Sequence, residues 1–429
     1  MFFTLKDEFA RRQAYFMIEI QALFSDHDQK HHMVLDTVFF INSTERNDPE
    51  IERLTGRLVQ IASKQSTWGQ QMPMAWVPLQ LQIGRLKSEN FHLIAKEKLV
   101  EVNRKNEDLS LSKTEFERFL RVQHSLGKIV YFEKPEFQHN RQLDKYVIIQ
   151  PSALVNVLRS FITDELFWPT EAYLREIHNH LSSHGEISKH DLMELWKQKP
   201  FCQFVPDGQI REYMISLLIQ LDILVEPKRK DISIVDTFLV PCMVKNVEPT
   251  EFLDDVELEN KTLCLSFRLL KTVVPTALSF KLIGSALSMW PFKKMKDTMF
   301  PSLFYNSAIL YVDDNNELRL NVEGNRIVVY LKNKTNIREI SPDIAASIQE
   351  CLTSSLKKAL LFYHSNMGKD VKGLDVDKLF EMEVGYACQQ SPCLLPLSEV
   401  KENSRDLAWK CGRKHDRKYA LLWMFDKVG

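Results

Sequence analysis

Four histidines crowd one short stretch of the chain, His178, His180, His184 and His190 in HNHLSSHGEISKH. Two imidazoles grip a metal from one helix when they stand four residues apart on one face, and only His180 and His184 do so. Gly185 ends that helix and no glutamate stands between the pair to act as a base, so the cluster reads as a solvated helix end. Further on, Cys388-x4-Cys393 and Cys411-x3-His415 offer three thiolates and an imidazole, a donor set that suits tetrahedral zinc. The first pair is wider than the usual two-residue knuckle, and Cys393 sits beside Pro392 in an apolar run, Leu394-Leu395-Pro396, which favours ordinary buried thiols and leaves zinc as the alternative. The spacing of a phosphate-cradling loop appears in Gly368-Lys-Asp-Val-Lys-Gly373. Such a loop needs Lys and then Ser or Thr after its last glycine to reach phosphate and magnesium, and Leu374 and Asp375 follow instead, so the segment reads as a linker. There is no GxSxG nucleophile elbow. No residue is assigned to catalysis, to a cofactor or to a metal; the expectation is a protein without cofactor that is not an enzyme.

Composition sets the frame for these side chains. A chain of 429 residues exceeds what one core supports, so about two to four structural units are expected. The hydrophobic share of 44% and charged share of 26% are those of ordinary globular protein. Lys and Arg number 56 against 57 for Asp and Glu, a net charge of -1 that gives no general attraction to nucleic acid or anionic membrane. An acidic residue, Asp7, interrupts the start before an apolar run of signal-peptide length, and no later stretch has the uncharged length of a membrane span. Seven cysteines, an odd number over a long chain, fit reduced thiols and hence a cytoplasmic location.

The hydrophobic spacing gives the elements. A helix over Leu5 to Phe24 precedes an apolar strand from Val34 to Ile41. Asn47-Asp48-Pro49 then opens a helix with Ile51, Leu54, Leu58 and Ile61 spaced for one buried face. A strand with two open edges belongs in a sheet, so residues 1–70 look cut into at their start. Trp76, Leu79, Ile83 and Leu86 mark the next helix. Ser112-Lys-Thr-Glu115 forms a capping box for a helix with Phe116, Phe119 and Leu120 inward, stopped by Gly127. Strands from Lys128 to Phe132 and from Lys145 to Ile149 follow, then a helix after Pro151. Three helices around Leu181, Leu195 and Leu217, with a hairpin tipped by Pro227 to Lys230, repeat the theme. Beyond about Glu251 the pattern changes to a strand at Leu263 to Phe267, a helix after Pro275, and strands at Ala308 to Val312, Leu318 to Val322 and Ile327 to Leu331. A long helix from Pro342 to His364 closes that unit, and 366–429 is read as a C-terminal appendage.

The order of two helix-plus-hairpin modules and an α/β unit resembles the COR (C-terminal of Roc) region of Roco-family proteins. The residues carrying the resemblance are Gly127-Lys-Ile-Val-Tyr-Phe132, Tyr146-Val-Ile-Ile-Gln-Pro151 with Leu154, Phe238-Leu-Val-Pro241, and Val274-Pro275 leading to Leu282-Ile283 and the strands Ser307 to Val312 and Ile327 to Leu331. Upstream, Phe39-Phe40-Ile41-Asn42-Ser43-Thr44 and Trp68-Gly69 resemble the end of a Roc GTPase domain, which would put Asn42 to Thr44 near the guanine base. The phosphate-binding loop of such a domain is absent from this sequence. The resemblance implies an α+β fold in four parts: a partial Ras-like Roc remnant at 1–70, two winged-helix-like modules at 75–245, a small α/β subdomain with an antiparallel sheet at 255–365, and the appendage at 366–429. It implies a protein-interaction and dimerisation module coupled to a GTPase domain, with self-association or a Roc-type GTPase as partner. Trp76, Leu79, Ile83, Leu86, Leu54 and Leu58 are the interface candidates. The competing classes are a winged-helix nucleic-acid binder and a zinc-containing adaptor. Against the former, the helix Gln209 to Leu221 carries one arginine and a dense apolar face, where a DNA-reading helix needs several basic or amide side chains.

Overall fold

A computed structural model describes residues 5–25, 33–34, 36–65, 68–69, 71–105, 108–132, 143–228, 236–247, 258–270, 273–294, 300–366, 375–388, 391–402, 409 and 415–424. The fold is mixed α+β, and the chain divides into two units, residues 1–77 and 78–429. No helix among the described residues is long and apolar enough to cross a membrane.

In the first unit, α1 spans Leu5–Leu23 and α2 spans Pro49–Ser63. Asp48 caps α2 as its sequence requires: the carboxylate accepts from the Glu50 N–H at 2.9 Å, and Pro49 fills the first helical position, where no N–H is needed. A second bond, from the Asn42 N–H at 2.6 Å, holds the entering loop to the cap. The face of α2 is not the buried one its spacing suggests. Ile51, Leu54 and Ile61 are half-buried, Leu58 is exposed, and no residue of α2 is fully buried. The strand expected from Val34 to Ile41 forms no ladder among the described residues, because an extended segment becomes a strand only when another backbone meets its N–H and C=O groups. Side chains of α1 meet this segment instead: Gln13 donates to the Val38 carbonyl at 3.0 Å, and the Phe16 and Phe40 rings lie 5.9 Å apart.

The second unit begins with one arrangement used twice. In its first use, α3 (Val77–Ser88), β1 (Leu93–Ala95), α4 (Lys96–Arg104) and α5 (Lys113–Ser125) lead to a bridge at Val130 and to β2 (Tyr146–Ile148). The capping box Ser112–Glu115 starts α5, Phe116, Phe119 and Leu120 are buried, and Gly127 turns the chain at φ +68°. After α6 (Ser152–Arg159), the second use runs α7 (Ala172–His184), β3 (Glu186–Ser188), α8 (Lys189–Trp196), the short α9 (Lys199–Cys202), α10 (Gly208–Gln220), a bridge at Val225 and β4 (Thr237–Leu239). In each, the short strand between helices pairs antiparallel with the last strand, Leu93 with Ile148 and Glu186 with Leu239. The predicted strand Lys128 to Phe132 is thus a single bridge to Ile148, and β1 and β3 are additional to the expected hairpins. The core of the second copy runs from Val157 and Phe161 of α6 through Leu181, Leu192 and Trp196 to Leu217 and Leu218, and takes in Leu143, Tyr146 and Ile148 at the closing strand of the first.

The remainder is a seven-stranded antiparallel sheet. After α11 (Leu258–Lys261) come β5 (Thr262–Leu269), α12 (Thr276–Met289), β6 (Leu303–Phe304), β7 (Ser307–Tyr311), β8 (Asn316–Glu323), β9 (Arg326–Asn333), α13 (Pro342–Asn366), β10 (Phe380–Ala387), β11 (Pro392–Pro396), α14 (Leu397–Glu402) and α15 (Arg417–Ala420). The strand order is β11-β10-β5-β9-β8-β7-β6. Leu263, Leu265 and Phe267 of β5 and Ile327, Val329 and Leu331 of β9 share a core with Leu282 and Leu287 of α12 and with Leu352 and Leu356 of α13. Residues 366–429, expected as an appendage, in fact supply two of the seven strands. β10 lies between β11 and β5, and Trp423, beyond α15, is fully buried in the same core. The cause is plain in β10: Phe380, Met382, Val384 and Tyr386 alternate with Glu381, Glu383, Gly385 and Ala387, the two-residue period of a strand with one large apolar face.

Candidate functional site

The alternation of β10 continues into its hairpin, so Cys388 follows Tyr386 on the core face, and the register sets Tyr386 opposite Cys393 of β11. Both thiols are buried in the sheet core. The hairpin closes this tightly because position 385 lacks a side chain: a β-carbon there would sit 1.8 Å from the Cys393 carbonyl oxygen. The third member arrives from the segment before α15. His415 is half-buried, and its Nε2 lies 3.4 Å from the Cys388 Sγ. The ligand atoms of Cys388, Cys393 and His415 all lie within 4.8 Å of one another. Two aromatic rings fix the imidazole, Tyr386 stacked on it at 4.5 Å and 12° and Trp409 edge-on at 5.3 Å and 87°. The Tyr386 hydroxyl donates to the Asp416 carbonyl, tying the residue after His415 to β10. Burial, with the Asp416 charge nearby, pushes that phenol's ionisation up, so it stays a donor. Cys411, which the sequence pairs with His415, lies outside the described residues.

The histidine-rich segment departs from the expected solvated helix end. His178 is buried, stacked on Trp168 at 5.4 Å, and burial lowers its pKa to about 4, so it is a neutral core group. The His184 ring lies 3.7 Å from that of Phe300, and its pKa is lowered by burial and by His180. His190 answers to the expectation, its side chain 73% exposed near Asp191 and Glu194, and the His180 side chain is 40% exposed. The helix stops where the Cβ of any larger residue at Gly185 would meet Val244 at 2.4 Å, in a left-handed turn at φ +68°.

The other residues named from the sequence scatter. Trp76, Leu79 and Ile83 are buried, Leu86 and Leu54 are half-buried, and Leu58 is 55% exposed, so the six do not form one open face. Asn42, expected near a guanine base, spends its side-chain oxygen on its own turn, accepting from the Thr44 N–H at 3.1 Å and hydroxyl at 2.6 Å. Gly368 to Gly373 and Arg229–Lys230 of the basic hairpin tip lie outside the described residues. A charged group that sequence reasoning passed over is Glu383 of β10. Its carboxylate is 4% exposed and accepts from Arg326 at 2.9 and 3.2 Å, Arg268 at 3.1 Å and Ser266 at 3.2 Å. Burial alone would raise its pKa, but the two arginines and the serine outweigh it and hold the carboxyl below its usual range.

In comparison with known proteins, no family model matches the chain and no curated protein matches it.

Proposed function

We propose that the chain is a non-catalytic, COR-type protein-interaction and dimerisation module of a Roco-like signalling protein, acting in the cytoplasm beside a GTPase domain. The observation that carries the reading is the apolar surface of residues 1–77. Tyr15, Ile18 and Leu23 of α1 are 60, 66 and 76% exposed, Leu58 and Val59 of α2 are 55 and 56% exposed, and Trp68 and Met74 are also open. Exposed apolar side chains in such number favour a protein partner, since association removes them from water.

The arrangement used twice in the second unit, helix, short strand, two helices and a closing strand, supports a pair of winged-helix-like modules, and the antiparallel sheet follows them in the order the COR resemblance implies. Their use in binding protein rather than DNA follows from α10. A recognition helix must present side chains to a groove, whereas Tyr213, Met214, Ile215, Leu217 and Leu218 are all buried. Coupling would then proceed by relative motion of packed subdomains when the partner binds. The test is to compare the full chain with a version lacking residues 1–70 by light scattering, alone and with a Roc-type GTPase domain. The full chain is expected to self-associate or to bind that domain, and the shortened chain to do neither. A monomeric full chain that ignores the GTPase domain, with deletion changing neither solubility nor association state, overturns the reading.

A further inference from the structure

We propose that Cys388, Cys393 and His415 bind a zinc ion that staples the β10–β11 hairpin to the segment entering α15. The argument is geometric. With Zn–S near 2.3 Å and Zn–N near 2.05 Å, tetrahedral coordination places a sulfur and a nitrogen ligand roughly 3.6 Å apart and two sulfurs roughly 3.8 Å apart. Cys388 Sγ and His415 Nε2 are 3.4 Å apart, and all three ligand atoms fall within 4.8 Å of one another. The two sulfurs and the imidazole nitrogen thus already span the distances that one tetrahedral ion would set. The chemistry of the set is also selective: soft thiolates with an imidazole favour zinc over magnesium or calcium, which take oxygen ligands.

The surroundings are those of a supported site. Tyr386 and Trp409 hold the ring from its face and its edge, so His415 presents Nε2 without rotating away. Gly385 allows the backbone approach that seats Cys393 opposite Tyr386. Both thiols must lose their protons to ligate, so binding releases two protons and is weakened by acid. The consequence is structural: the ion would add a link from His415 to the β10–β11 hairpin beside the Tyr386–Asp416 hydrogen bond and the bonds of Arg417 to the Val400 and Lys401 carbonyls.

The test uses the full 429-residue chain, purified without chelator. Elemental analysis is expected to find one zinc per chain, lost in Cys388→Ser, Cys393→Ser and His415→Ala and kept in Cys351→Ser, which alters an exposed thiol on α13. Because a site variant can fail to fold, two measurements use the unaltered chain. Cobalt(II) added after zinc removal is expected to give the visible and thiolate charge-transfer bands of a tetrahedral sulfur site. Alkylation mapped by mass spectrometry is expected to spare Cys388 and Cys393 until a chelator is added. A chain that holds no zinc and gives no cobalt–thiolate band overturns the proposal, as do soluble site variants that retain the metal.

Discussion

Replacing Glu383 by glutamine tests how the sheet balances its buried charge. The two carboxylate oxygens have four donors, Arg326 Nε and NH2, Arg268 Nε and Ser266 Oγ, so both oxygens are fully used. A glutamine offers one acceptor oxygen and turns its NH2 toward a guanidinium, donor against donor. Removing one partner of a fully buried ion pair costs roughly 3–5 kcal/mol. The arginine side chains are 32 and 35% exposed and regain water when the carboxylate goes, which reduces the expected loss to about 2 kcal/mol. The pH dependence has a definite sign. The folded carboxyl ionises below its unfolded value of about 4.3, so its contribution is fully present above that pH and is lost as the pH falls through the folded value. Denaturant-dependent hydrogen exchange on peptides from β5, β9 and β10 reads the difference locally. The gap between native and Glu383→Gln chains should stay constant above the unfolded value of about 4.3 and narrow as the pH falls below it and through the lowered folded value. A gap under about 0.5 kcal/mol, or one that does not narrow in acid, refutes the electrostatic account.

Gly385→Ala sets a β-carbon 1.8 Å from the Cys393 carbonyl oxygen and 2.9 Å from its carbon, so β11 must leave β10. A loss of about 3 kcal/mol or more is expected, read as lost exchange protection in residues 392–396, and unchanged protection there contradicts the stated contact. His178 is neutral in the fold with a pKa of about 4. Its contribution is whole above its unfolded value of about 6.5 and falls by about 3 kcal/mol as the pH drops to 4. His178→Phe, which keeps a ring against Trp168, should remove that part of the acid loss, and parallel acid profiles for the two chains would show that His178 is not its source. The chain alone is expected not to bind magnesium–GTP, since Gly368 to Gly373 is followed by Leu374 and Asp375 where phosphate and magnesium ligands are required. Micromolar, magnesium-dependent binding by calorimetry is the contrary result.

Where the chain announces an element with chemistry of its own, the sequence reading and the structure agree. Ser112 and Glu115 cap α5 reciprocally, Asp48 and Pro49 open α2, and Asp313 to Asn316 turn β7 into β8, because caps and turns depend on residues a few positions apart. β1 and β3 were not legible. Three residues between two helices show no period, and their pairing with β2 and β4 depends on strands about fifty residues away, as in Ile94 with Val147 and Ile187 with Phe238. The loss of β10 is different, for Phe380, Met382, Val384 and Tyr386 alternate clearly. Reading 366–429 as an appendage set that signal aside, and with it the reason Cys388 meets Cys393. The half-covered face of α2 shows the limit of periodicity: spacing says which side of a helix is apolar, and burial depends on what stands opposite.

The claim that residues 1–77 form an association surface is tested most directly by sedimentation of the full chain across a concentration series, beside an Ile18→Glu, Leu58→Glu variant. Both side chains are more than half exposed, so the substitutions remove apolar surface without opening a core. The account expects the native chain to gain mass with concentration or on addition of a Roc-type GTPase domain, and the variant to remain monomeric under both conditions. Identical sedimentation of the two chains in every mixture would contradict it.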